Sequence, residues 1–257
     1  MLRVVAGKDS QWTFDMSCGR LISWVKKGKN ILSTPPVMDF YRALTDNDRP
    51  QDGKQWIEKR LHQTKDHFSD SVEVSVTARI APPVFEWCVN TTTTYTLSPR
   101  GVRIHVHGKP QGINLPKTFA RIGLTLQMPS QFNAVQWFGR GPGESYRDKK
   151  LSQKFGTWSS TGGNRTDVRW VSISSGERQL KATFPFGRGG NFCASHYTTE
   201  ALDSSGHPFE LKEKRLDDVV FRLDFAHHGL GTGSCGPKTL DQYALTSEEF
   251  QYEVWLE

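Results

Sequence analysis

Val72-Glu73-Val74-Ser75-Val76-Thr77-Ala78-Arg79-Ile80 sets apolar and polar side chains in alternation. A period of two sends each set to its own side of an extended chain, so this stretch reads as a strand with one buried face. The pattern returns at Phe85-Trp87-Val89, Val102-Ile104-Val106 and Ile122-Leu124-Leu126-Met128. Farther along it marks Leu180-Ala182-Phe184, Val219-Phe221-Leu223-Phe225 and the final Tyr252-Val254-Leu256. Turn formers separate these runs: Ala81-Pro82-Pro83, Ser98-Pro99-Arg100-Gly101 and Ser174-Ser175-Gly176-Glu177. Many short strands joined by tight turns predict an antiparallel, all-β sandwich or barrel rather than alternating βα units. Helical signal is confined to residues 54–62, where Trp56-Ile57 is followed by Arg60-Leu61, and to a single turn at Thr199-Glu200-Ala201-Leu202. No Pro/Gly/Ser-rich linker and no fixed repeat divides the chain, so residues 1–257 read as a single domain.

Composition narrows the class. With 8 Trp and 15 Phe among 257 residues, the chain is too aromatic to stay solvated and disordered. Its length permits a core that needs no disulfide staples. No apolar run approaches the ~20 residues of a membrane helix, and Met1-Leu-Arg-Val-Val-Ala-Gly-Lys turns polar too early for a signal-peptide core. The net charge of +6 admits acidic partners without demanding them. The densest basic clusters are Lys26-Lys27-Gly28-Lys29 and Arg147-Asp148-Lys149-Lys150, the second with its own counter-charge. They read as a solvated surface, with no nucleic-acid or membrane partner. Cys18, Cys88, Cys193 and Cys235 are widely spaced, which predicts reduced thiols and a cytoplasmic location. The sequons at Asn90 and Asn164 carry weight only in a secreted chain.

Single motifs declare no chemistry. Gly231-Thr-Gly233-Ser-Cys-Gly236 has the spacing of a dinucleotide fingerprint, but the 21 residues after it leave no room for a βα unit. Gly139-Arg-Gly141-Pro-Gly143 lacks the Gly-Lys-Ser/Thr ending of a phosphate loop. His105 and His107 share a strand face without a third metal ligand at a convincing spacing, and His227-His228 point to opposite faces if extended. Asp46 and Asp48 bracket Asn47, and Glu144 and Asp148 stand beside aromatic residues. Glycosidic cleavage uses two carboxyl groups roughly 5–10 Å apart, yet each pair is equally suited to bonding turn backbone or pairing with Arg42, Arg147 or Lys149.

Longer blocks carry a more specific signal. Asp39-Phe-Tyr-Arg-Ala-Leu-Thr45-Asp46-Asn47-Asp48-Arg49 resembles the Arg-Ala-Pro-Thr-Asp-Asn-Asp signature of the C-terminal small-chain domain of glycoside hydrolase family 2 β-galactosidases. Val135-Gln-Trp-Phe-Gly-Arg-Gly-Pro-Gly-Glu144-Ser-Tyr146-Arg-Asp148-Lys-Lys resembles the next block, Trp-Phe-Gly-Arg-Gly-Pro-x-Glu-x-Tyr-x-Asp. Asn164-Arg-Thr-Asp-Val-Arg-Trp170, His207-Pro-Phe-Glu-Leu211, His228-Gly-Leu-Gly231 and Ser234-Cys-Gly-Pro237 follow in the family's order, and Trp12-Thr-Phe14-Asp15 with Gly19-Arg-Leu21 resembles its opening strand.

The resemblance spans nearly the whole chain and implies a many-stranded antiparallel super-sandwich of the galactose-mutarotase-like type. It implies a non-catalytic domain or small subunit that closes the galactoside pocket of a separate TIM-barrel domain, which carries both catalytic glutamates and hydrolyses terminal β-galactosides such as lactose. The implied partners are that catalytic large chain, or upstream domains, and the β-galactoside. No cofactor falls to this chain, and the magnesium or sodium of the assembled enzyme is expected in other domains. No catalytic residue is expected here, and Asp46, Asn47, Asp48, His228 and Cys235 are expected to line the pocket. An aromatic residue stands at the position of Cys235 in some relatives and stacks on the leaving sugar, whereas others carry Ser-Cys-Gly-Pro as here. A thiol offers a sugar less apolar contact than a ring, and a buried structural role would suit it equally. One departure stands out: Thr161 runs almost directly into Gly162-Gly163-Asn164, where the family pattern has roughly a further strand and its turn. A dispensable edge strand, a local rearrangement or compromised folding would each account for it. Two other functional readings compete, a stand-alone galactoside-binding module and an aldose epimerase-like enzyme.

Overall fold

The alternating stretches become pleated strands in a computed structural model that describes residues 1–6, 9–15, 19–68, 74–98, 100–185 and 189–257. The chain opens with a meander, β1 (Leu2–Ala6), β2 (Ser10–Asp15), β3 (Arg20–Lys26) and the two-residue β4 (Lys29–Asn30), which forms a four-stranded sheet by itself. β5 (Val37–Asp39) follows, then helix α1 (Asp52–Glu58) and a 3-10 turn at Leu61–Gln63. β6 (Lys65–Phe68), β7 (Ser75–Ala81), β8 (Cys88–Ser98) and β9 (Gly101–Gln111) form a run of antiparallel hairpins. After them come β10 (Arg121–Met128), β11 (Ala134–Gly141), β12 (Lys154–Ser159), β13 (Arg165–Val168), β14 (Trp170–Ser175), β15 (Arg178–Thr183) and β16 (Gly190–Ser195). Two short helices, α2 (Thr199–Asp203) and α3 (Pro208–Lys212), precede β17 (Val219–His227) and β18 (Phe250–Leu256).

Two larger sheets face each other. One has nine strands in the order β12-β11-β14-β15-β18-β9-β8-β7-β6, the other five in the order β13-β16-β17-β10-β5. Trp137 on β11 meets Phe192 on β16 edge to face at 5.3 Å, and Phe225 on β17 stacks on Tyr252 of β18 at 5.8 Å. The inward sets of both sheets interdigitate there, as in a sandwich. Phe14 packs against Tyr95 of β8 and brings the four-stranded sheet into the same core.

Most predicted strands and both helical segments are present, with three differences. Val72 and Glu73 lie outside the described residues, and β7 takes up the alternation from Ser75, with Val76 and Ile80 buried and Thr77 and Arg79 exposed. Phe85 and Trp87 precede their strand rather than form it. Val84 turns the backbone at a φ of 61°, Trp87 donates its indole N–H to the Lys59 carbonyl at 3.2 Å, and pairing begins at Cys88. β17 is buried on both faces from Val219 to Asp224. It lies between β16 and β10, and the side opposite the apolar core holds Arg222, bonded to Thr199 of α2, and Asp224.

The shortened connection after Thr161 carries the chain from one sheet to the other. β12 is the outer strand of the nine-stranded sheet and β13 the outer strand of the five-stranded one. Gly162 and Gly163 turn between them at φ of 78° and 69°, where a side chain would be strained. Both flanking strands are sheet edges, so the short connection interrupts no central hydrogen-bond ladder.

Candidate functional site

The loop that leaves β5 is built around the Asp48 carboxylate. Arg42 reaches it with both terminal nitrogens, at 2.5 and 2.9 Å, and the Thr45 amide and hydroxyl each donate to it at 2.8 Å. The Asp48 carbonyl in turn accepts the amides of Gln51 and Gly53. A Cβ on residue 53 would stand 2.7 Å from that carbonyl oxygen, so the turn into α1 requires glycine. The Arg42 guanidinium lies between the rings of Trp56 and Tyr146, 5.6 and 6.0 Å from their centroids. Burial works against its charge, but Asp48 beside it raises the pKa above the ordinary value. Asp48 is therefore the internal post of the loop, with its side chain 2% exposed, while Asp46 projects into solvent with its side chain 93% exposed.

Asn47 joins this loop to the glycine-rich one after β17. Its amide nitrogen donates to the Gly231 carbonyl at 3.1 Å, and its oxygen accepts the Ser234 amide at 3.1 Å and the Ser234 hydroxyl. Gly233 packs so tightly that a Cβ there would overlap the Gln51 amide and approach the Asn47 carbonyl to 2.8 Å. From the other side, the Asp148 carboxylate accepts the amides of Leu230 and Gly231 at 3.1 and 2.8 Å. Cys235, next to Ser234, is a free and exposed thiol.

His228 lies beneath both loops and is 1% exposed. The Leu245 amide donates to Nδ1 at 3.1 Å, which leaves the imidazole hydrogen on Nε2. Nε2 stands 3.0 Å from Asp52 Oδ2. That contact holds the Asp52 carboxyl below its ordinary pKa against the opposing effect of burial. Trp56 meets the His228 ring edge to face at 5.1 Å and donates its indole N–H to Thr118. The first turn of α1 is thereby bolted to the end of β17.

The other residues tested for chemistry are placed elsewhere. Glu144 accepts the Tyr146 hydroxyl at 2.6 Å and the Asn164 amide at 3.3 Å. His107 lies 2.6 Å from Glu249. Among the described residues no group of three or more His, Cys, Asp or Glu is placed to hold a metal ion, and no helix is long and apolar enough to cross a membrane.

Residues 6–256 match the family model described as beta galactosidase small chain. The chain belongs to the β-galactosidase small-chain family. It is similar to a β-galactosidase of Kluyveromyces lactis, 32% identical over 93% of this chain and 25% of that protein. It is also similar to one of Staphylococcus xylosus, 25% identical over 98% of this chain and 27% of that protein. The chain thus spans about a quarter of the length of the relatives it matches. In fold it is similar to a galactose mutarotase-like protein from Lactobacillus casei, with a TM-score of 0.51 at 11% identity over 99% of both chains, which identifies the many-stranded antiparallel super-sandwich.

The chain also holds a cluster that its sequence motifs did not announce. Arg121, fully buried on β10, donates Nε to Asp224 at 3.0 Å, a second bond to the same carboxylate from Nη2, and Nη1 to Asp39 at 2.7 Å. His227 Nε2 lies 2.7 Å from the other Asp224 oxygen. Burial tends to raise the Asp224 pKa, but Arg121 and His227 outweigh it and hold the carboxyl below its ordinary range. Burial lowers that of His227 despite Asp224. The available signals were Gly123, a glycine inside β10 where the pairing with β17 shifts register, and Asp224, a carboxylate inside the long strand β17. A Cβ on residue 123 would stand 2.0 Å from Asp224 Oδ1.

Proposed function

We propose that this chain is the non-catalytic C-terminal domain or small subunit of a β-galactosidase, and that it closes one side of a galactoside pocket whose catalytic carboxylates belong to a separate polypeptide stretch. The observation that supports the reading is the Asn47 bridge. It fastens the loop at 46–51 to the loop at 231–235, the two segments that the family resemblance sends to the pocket, and leaves Asp46 and Cys235 exposed on either side. Asp48 and His228 act within this reading as supports, because their polar atoms face Arg42, Thr45, Leu245 and Asp52. The substrate class is a terminal β-galactoside such as lactose, and any magnesium or sodium is held by other domains.

The chemistry left to this chain is positioning. A loop fixed at both ends by buried polar bonds loses little further freedom when it covers a ligand, so its contacts convert more fully into binding. The test is hydrolysis of o-nitrophenyl-β-galactoside by a catalytic large chain with and without this one. Turnover is expected only with both present, and Asn47→Ala is expected to raise KM. No complex and no gain in turnover would overturn the reading.

A further inference from the structure

A cavity of about 280 Å3 lies against the side of the five-stranded sheet opposite the apolar core, bounded by α2 and the 3-10 turn at Leu61–Gln63. None of Asp46, Asn47 and Cys235 lines it, so it is separate from the loops assigned to the galactoside pocket. The strand register sets Val37, Thr125, Arg222 and Cys193 in one row across β5, β10, β17 and β16, and directly opposed residues share a sheet face. Arg222 therefore stands in the floor of the cavity, 7% exposed.

Arg42 and Arg121 each meet a carboxylate, and Arg222 does not. Its guanidinium makes one hydrogen bond among the described residues, from Nη2 to the Thr199 hydroxyl at 3.0 Å. Nε and Nη1 are left without a protein acceptor and are not sealed from solvent. The neighbouring acids are engaged elsewhere. Asp224 is bonded by Arg121 and His227, and Asp39 by Arg121, the Thr125 hydroxyl and the Tyr41 amide. Glu200 lies on the exposed rim. Cys193 is no counter-ion either, because burial raises the thiol's pKa more than Arg222 beside it lowers it. A buried charge without an ionic partner is costly, and an anion entering the cavity would relieve that cost.

The lining decides which anion. Thr199 Oγ1 accepts from Arg222, so its own hydrogen is free to donate beside the guanidinium. A carboxylate matches such a fork with parallel N–H bonds. A dianion such as phosphate would be repelled by Asp39 and Glu200, which also line the cavity. Val37, Leu61 and Val220 supply apolar wall, and the volume, just under the ~300 Å3 at which drug-sized sites begin, suits a body of a few carbons. We propose that this cavity binds a short-chain monocarboxylate, with its charged end on Arg222 and the Thr199 hydroxyl and its hydrocarbon end against Val37 and Val220.

The test is titration of the isotope-labelled chain with propionate or butyrate up to tens of millimolar at constant ionic strength, followed by amide NMR shifts. Saturable shifts are expected at Thr125, Thr199, Glu200 and Arg222, with β11 and β12 unmoved. Propionamide, similar in shape but uncharged, is expected to give none. Arg222→Met is expected to weaken propionate binding at least tenfold, and Thr199→Val several-fold. Because Arg222 lacks a carboxylate in the fold, Arg222→Met is also expected to leave the denaturation midpoint no lower, unlike the loss of a paired arginine. The readout involves no galactoside and no catalytic partner, so its failure is distinct from failure of the pocket role. Absence of saturable shifts, equal shifts with propionamide, unchanged affinity in Arg222→Met, or a marked fall in that variant's midpoint would overturn the proposal.

Discussion

Two buried arginines organise this molecule in different ways. Arg42 meets Asp48 six residues along the chain, so its ion pair shapes one loop. Arg121 meets Asp39 and Asp224, which lie 82 and 103 residues away, so its bonds tie three neighbouring strands of the five-stranded sheet together. In both places the charge is desolvated and matched by carboxylate, the condition under which removal of one partner is far more costly than the pair's net worth. What differs is the reach of the damage. Loss of the first should loosen the candidate site, and loss of the second should loosen the sandwich.

The strongest break is therefore Arg121→Met. It leaves Asp224 buried with only His227 beside it and removes the main partner of Asp39. A loss of about 3–5 kcal/mol is expected in chemical denaturation, with exposure of core tryptophans. Asp48→Ala comes next, at about 3 kcal/mol, because Arg42 loses its counter-ion and Thr45 its acceptor. Its distinguishing signature is local: hydrogen exchange should accelerate at the amides of Gln51 and Gly53 before it changes in β10 and β17. Equal acceleration in both regions would break the contrast between a loop post and a sheet tie.

A gentler probe is pH. His227 has a folded pKa below its ordinary 6.5, so the unfolded chain takes up a proton that the folded one refuses. Stability should accordingly fall as pH drops below about 6.5, with a slope of at most roughly 1.4 kcal/mol per pH unit. Asp224, Asp52 and Asp167, all held below the ordinary 3.8, retain their stabilisation until the pH falls beneath that value. Two steps on the acid side are expected in denaturation midpoints. His227→Gln should remove the upper one and leave the lower in place.

The same contrast explains what could be read from the residues alone. β7, β9 and β18 were legible because each exposes one face, so burial writes a period of two into the sequence. Phe85 and Trp87 shared that period but lie before the strand, since Trp87 is buried by its bond to Lys59 and not by pairing. β17 was legible as a strand but not as a two-sided one, because Arg222 and Asp224 look like a solvent face until their partners are known. Asp46 to Asp48 could be found only through the family blocks. Their roles depend on Arg42, Gly231 and Ser234, and neither composition nor spacing records which carboxylate turns inward. Gly53, Gly123 and Gly233 each mark a close approach, and glycine at a contact resembles glycine at a turn until the neighbour is known.

The smallest expected effect tests the assignment of Asp46. Its side chain is almost wholly exposed, and its nearest cation is Arg49 at 3.9 Å. An exposed pair at that separation contributes little, so Asp46→Ala should change stability by less than about 0.5 kcal/mol. Asp48→Ala, two residues away, should cost several times more, which makes the two substitutions a direct comparison of the outward and inward carboxylates. With the catalytic partner present, the order should reverse in kind: Asp46→Ala should raise KM for a β-galactoside in a fully folded protein, whereas whatever Asp48→Ala does to activity should track its loss of loop order. If Asp46→Ala leaves both stability and KM untouched, the exposed acid has no part in covering the sugar, and the pocket role rests on Asn47 and Cys235 alone.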